Sequence, residues 1–181
     1  MQNKAVFVQN KRLIGIMFAA TCLLLVPAVA MQITSEVAWG AGDFVVAGAL
    51  LFGTGLLFEL AARREGNVAY RAAVGVALAT ALLLVWANLA VGIIGSEDNR
   101  ANLMVVGVLA VGLIGACVAR LQPRGMAGVM FATAGAQMLV GVIALVAGLG
   151  IKQLILNEVF ALLWVGSGLL FRRASEPVYK G

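Results

Sequence analysis

Six long apolar runs, separated by short polar connections, take up most of the chain: 13–33, 44–62, 72–95, 103–121, 126–150 and 154–171. A helix that crosses the hydrocarbon core of a bilayer needs about 20 apolar residues, with a range of about 17–25. Every run meets that length. The connections read TSEVAWGAGD, RREGNVAYR, SEDNRAN, QPRG and IKQ. Gly, Pro and charged residues punctuate them as turn formers do. The pattern predicts an all-α fold class: a polytopic integral membrane helical bundle with six transmembrane helices, in a single membrane domain over residues 1–181.

Inside the runs, small residues recur at helical spacing and share faces with the few polar ones. Span two aligns Gly48, Phe52, Gly55, Glu59 and Ala62. Span three aligns Ala81, Asn88, Gly92 and Gly95; span five aligns Gln137, Gly141, Ala144 and Gly148; span six aligns Asn157, Ala161, Trp164 and Gly168. In lipid, helices associate through close backbone approach at small residues and through hydrogen bonds between polar ones. These stripes are therefore expected to face neighbouring helices, with Leu, Val and Ile facing lipid.

The chain also repeats itself. A shift of 53 residues sets RAAVGVALATA (71–81) on RGMAGVMFATA (124–134), with six of eleven positions identical. LFGTGLLF (51–58) matches WVGSGLLF (164–171), and VGLIGACVAR (111–120) is a weaker echo of TGLLFELAAR (54–63). The repeating unit is a helical hairpin that turns at an arginine-rich loop, as in parallel-repeat membrane folds. This six-span, tandem-hairpin layout resembles that of the small bacterial acid-resistance membrane protein family, in layout and in no motif.

Composition strengthens the assignment. The chain is 62% hydrophobic and 12% charged, where soluble domains carry about 25% charge. Its net charge of +5 would suit nucleic acid, but the basic residues sit in short clusters between spans. With the N-terminus in the cytoplasm, eleven of them are inside: Lys4, Lys11, Arg12, Arg63, Arg64, Arg71, Arg120, Arg124, Arg172, Arg173 and Lys180. Only Arg100 and Lys152 are outside. The positive-inside rule thus predicts both termini in the cytoplasm, and a multi-pass protein of a cell membrane, expected to be the bacterial inner membrane. One alternative reads residues 1–30 as a signal peptide, because Ala28-Val29-Ala30 follows a basic start and an apolar core. The apolar run continues to Ile33, which favours a retained first helix.

The chemistry on offer is sparse. The chain has no histidine, which removes the commonest general base and metal ligand. Cys22 and Cys117 both lie in apolar runs, where cysteine serves as a small hydrophobe. No catalytic motif, cofactor site or metal site is recognisable, and no connection is long enough for an extramembrane catalytic domain. An enzyme is not expected. The candidate intramembrane polar or transport residues are Glu59, Asn88, Gln137 and Glu158, because polar groups at membrane depth are expensive and commonly functional. Each also has a structural reading: an ion pair of Glu59 with Arg63, one of Glu158 with Lys152, and interhelical amide bridges for Asn88 and Gln137. Glu97 and Asp98 form an acidic outer loop that attracts cations or simply favours helix starts. The expected function is a structural or accessory role, as a helix-packing protein or complex subunit. The alternative is a small-solute, cation or proton permease built on the four intramembrane residues. The expected partners are the lipid bilayer and either a homo-oligomer or a larger membrane complex, without nucleic acid.

Overall fold

The computed structural model describes residues 2–64, 67–90, 92–94 and 99–176, with residues 2–12 described by backbone only. It is 85% helical, without strands among the described residues. The helices are α1 (Gln2–Ile33), α2 (Ala41–Ala62), α3 (Val68–Ala90), α4 (Met104–Val118), α5 (Pro123–Val146) and α6 (Ile151–Ala174). A short 3-10 turn, Arg100–Leu103, leads into α4. All six are long and apolar enough to cross a membrane, when α4 is counted with its leading turn.

The solvent implied by the surface is hydrocarbon. Val146, Ile33 and Val118 are about four-fifths exposed, whereas Glu59, Thr133, Gln137, Asn157 and Ser167 are fully buried. Such an inverted distribution is stable only where the exterior is apolar and every interior polar group can find a partner.

The chain divides into two compact units, Met1–Leu60 and Ala61–Gly181. In the first, α1 and α2 run antiparallel. Gly48 faces the Leu24 side chain, and Gly55 lies so close to Ile16 that an added Cβ would approach it to 2.5 Å. The start of α2 is closed by a half capping box, in which Asp43 Oδ2 accepts from the Gly40 N–H at 2.8 Å. Trp39 and Phe44 meet edge to face there, with centroids 5.3 Å apart.

The second unit holds α3 to α6. α5 packs most extensively on α6, α6 also packs on α3, and α4 packs on α5. Three contacts fix the antiparallel register of α3 and α6. Asn67 Nδ2 donates to the Ala174 carbonyl (3.2 Å), Tyr70 meets the Phe171 ring edge to face (5.4 Å), and Ser167 Oγ donates to the Ala73 carbonyl (2.9 Å). Residue numbers in these pairs fall along a single diagonal, so Leu84 lies level with Asn157 and Asn88 level with Gln153.

The repeat between spans three and five has a structural counterpart. Ala73, Val74, Ala77, Thr80 and Leu84 are buried on α3, and so are their equivalents Met126, Ala127, Met130, Thr133 and Gln137 on α5. Thr80 donates to the Val76 carbonyl (2.7 Å) and Thr133 to the equivalent Val129 carbonyl (2.9 Å). Both hydroxyls thus satisfy themselves within their own helix.

Several span ends differ from the hydropathy boundaries. Span three stops at Ala90, not at residue 95, and Gly92 lies beyond it with φ +68°. Gly92 is therefore buried, as expected, but in the turn beyond the helix and not on a helical stripe, and Gly95 lies outside the described residues. Ile93 and Ile94 are buried after the break, and the Ile94 N–H donates to Asn102 Oδ1 at 2.8 Å. Span five stops at Val146. Gly148, also expected on the packing stripe, is instead exposed at φ +77°. It forms a Schellman end, with its own N–H on the Leu145 carbonyl and the Leu149 N–H on the Ala144 carbonyl, both at 3.0 Å. Span four ends at Val118 in the same motif: Arg120 N–H reaches the Cys117 carbonyl (3.1 Å) and Leu121 N–H the Ala116 carbonyl (3.2 Å). Here the left-handed positions are Arg120 (φ +50°) and Leu121 (φ +59°), which lack glycine's freedom.

Candidate functional site

The expected intramembrane polar residues are divided between the two units. Glu59 is fully buried in the last turn of α2, in the first unit. The other three are in the second unit. Glu97 and Asp98 lie outside the described residues.

Gln137 and Glu158 are brought to the same helix interface by α5 and α6. Gln137 Nε2 donates to Asn157 Oδ1 at 2.6 Å, and Asn157 Nδ2 donates to the Gln153 carbonyl at 2.7 Å. One turn along α5, Gly141 admits the partner helix. A Cβ there would lie 3.0 Å from Asn157 Cβ and 3.5 Å from Glu158 Oε1. Glu158 is half-buried beside this glycine. Lys152 precedes it by six residues, about 240° around the helix, so the two do not share a face. Asn88 is half-buried on α3, at the level of Gln153.

Among the described residues of this unit, four side-chain atoms are buried without a hydrogen-bond partner: Arg71 Nε, Asn88 Oδ1, Gln137 Oε1 and Trp164 Nε1. Two are acceptors, on Asn88 and Gln137, and two are donors, on Arg71 and Trp164. Asn157 belongs to the packing stripe read from the sequence. Ser167, Tyr70 and Asn102, which also bond across elements, were not singled out there. A lone hydroxyl or an asparagine beside a turn carries no sequence signal of depth. Among the described residues, no group of three or more His, Cys, Asp or Glu comes together.

Small residues set the other interfaces. A Cβ on Gly115 of α4 would come within 2.6 Å of Val129 Cγ1, and one on Gly168 of α6 within 2.9 Å of Phe131 Cε1. At the end of the unit that carries Arg71, Arg120, Arg124, Arg172 and Arg173, Tyr70 is fully buried and its hydroxyl donates to the Leu121 carbonyl at 2.9 Å. Between α4 and α5 an open apolar groove of about 670 Å³ runs from Gly107 to Val118 on α4, closing at Ala119 just beyond it, and from Gly125 to Ala132 on α5.

Comparison of the chain with known protein families, with curated proteins and with solved structures finds no match. The layout resemblance noted above therefore carries no activity or residue role across. The assignment reached is a multi-pass, all-helical chain with six candidate membrane spans.

Proposed function

We propose that this is a structural or accessory protein of a cell membrane, serving as a helix-packing component or a subunit of a larger complex, and not an enzyme. The observation that carries this reading is where its buried polar groups are directed. Gln137 binds Asn157 and Ser167 binds the Ala73 carbonyl, each from helix to helix, while Tyr70 at the start of α3 binds the Leu121 carbonyl in the turn before α5, so buried polar side chains fasten one element to another. Interhelical hydrogen bonds of this kind contribute about 0.6–2 kcal/mol each in membranes. The excess of basic residues on one side of the spans favours both termini in the cytoplasm, and the membrane we propose is a bacterial inner membrane. Native mass spectrometry and crosslinking in mild detergent test the role. A homo-oligomer or a retained complex is the expected result, and a solitary monomer in every mild detergent overturns it.

A permease is the second reading, and the partnerless acceptors Asn88 Oδ1 and Gln137 Oε1 favour it. Solute flux into liposomes that is abolished by Asn88→Ala, Gln137→Leu or Glu59→Gln would place the protein in this class. Flux that these changes leave intact rules out those residues as the path.

A further inference from the structure

We propose that the α4–α5 groove seats an acyl chain of an anionic phospholipid, with the lipid phosphate held between Arg120 and Arg124. The walls are suited to hydrocarbon: Val111, Ile114 and Val118 from α4, and Val129 and Ala132 from α5. Gly107 and Gly128 leave the space above them empty, with no atom within 4 Å of where a Cβ would stand.

The length of the groove separates a lipid chain from a helix. It extends about 16 Å along α4 and about 10 Å along α5, at 1.5 Å per residue. Half the hydrocarbon core is about 15 Å, whereas a partner helix spans all of the roughly 30 Å. The groove therefore matches one leaflet.

Charge selects the headgroup. The groove closes at Ala119 and Gly125, each adjacent in sequence to an exposed arginine, Arg120 and Arg124. No acidic residue occurs between Asn99 and Asn157, so nothing on this hairpin neutralises the pair. Guanidinium groups match phosphate oxygens in a bidentate fashion, and basic pockets at helix ends bind anionic headgroups. Arg120 also stands at φ +50°, in a helix-ending position where glycine is the usual residue. An arginine there accepts backbone strain while it keeps a cation at the mouth of the groove.

The test titrates the delipidated full chain in mild detergent with phosphatidylglycerol and with phosphatidylcholine of the same chain length, read by native mass spectrometry. Phosphatidylglycerol is expected to bind more tightly, with a preference that falls by about fivefold for each arginine removed. The changes are Arg120→Gly and Arg124→Gln. Arg120→Gly relieves the left-handed position, so its unfolding temperature stays level or rises while the preference falls, which separates headgroup binding from folding. Gly128→Leu fills the groove and lowers the affinity for both lipids. Equal binding of the two lipids by the unaltered chain, or a preference that survives both arginine changes, overturns the proposal. So does a self-crosslink through the groove that Gly128→Leu abolishes without altering lipid binding; the groove would then be a protein interface.

Discussion

Gln137 and Asn157 are joined at 2.6 Å across the interface of α5 and α6, while the other Gln137 amide atom, Oε1, has no partner. The pair is thus half satisfied, and its two members should be strongly coupled. Gln137→Leu strands Asn157 Oδ1 and should destabilise the protein by about 1–2 kcal/mol. Adding Asn157→Leu removes the stranded group and should recover part of that loss. A double-mutant cycle of reversible unfolding in detergent measures the coupling, expected at about 1–2 kcal/mol. Additive effects would mean that the bond contributes nothing to stability.

Glycines in this fold fall into two groups. Gly115→Ala places a methyl 2.6 Å from a γ-carbon of Val129, whose branched side chain is stiff. The expected loss is about 1–3 kcal/mol. Gly135→Ala meets nothing within 4 Å and should be neutral or stabilising, since alanine is the better helix former. Unfolding temperatures in one detergent, compared side by side, check the contrast.

Asn67 serves two helices. Its Oδ1 accepts from the Ala69 N–H at 2.8 Å, at the start of α3, and its Nδ2 donates to the Ala174 carbonyl of α6. Asn67→Ala should cost about 1–2 kcal/mol, the upper part of the range for a helix cap. Asn67→Asp keeps the acceptor and loses the donor, so it should fall between the two. Thermal unfolding of all three proteins gives the order.

Tyr70→Phe retains the ring packed on Phe171 and removes only the hydroxyl that binds the Leu121 carbonyl. Because that hydroxyl anchors a turn with two left-handed non-glycine residues, the change should act locally as well as globally. About 1–2 kcal/mol of stability should be lost. Hydrogen exchange in the 119–122 turn should accelerate more than in α5.

Topology is testable with thiols. In a chain lacking Cys22 and Cys117, Gln122→Cys and Lys152→Cys introduce exposed sites at opposite ends of the second unit. In intact cells, an impermeant thiol reagent should label position 152 and spare position 122. The reverse pattern would invert the proposed orientation.

The helices were legible because their apolar runs are long, and α6 was legible in rotation as well: Asn157, Ala161, Trp164 and Gly168 are all buried, as their spacing implied. The ends of spans three and five were not. Hydropathy runs unbroken through Gly92 and Gly148, and the break is a property of backbone dihedrals, to which a transfer scale is blind. The candidate site was legible residue by residue and not as a set. Spacing put Gln137 on a packing face, but its partner depends on how α6 is rotated against α5. Nothing in the spacing of Asn88 tells which neighbour it would meet, whereas Glu59 stands four residues before Arg63, the spacing of a same-helix pair.

The bond between Asn67 and Ala174 also has a topological consequence. The first and last helical segments of the second unit meet at a distance of 3.2 Å, so the path of the chain through that unit is nearly a closed loop. A short linker could join those two points and new termini could open at a polar turn, such as the one before Pro123. A circular permutant made this way should keep every helix contact of the unit, which makes the order of these four helices along the gene separable from their order in space.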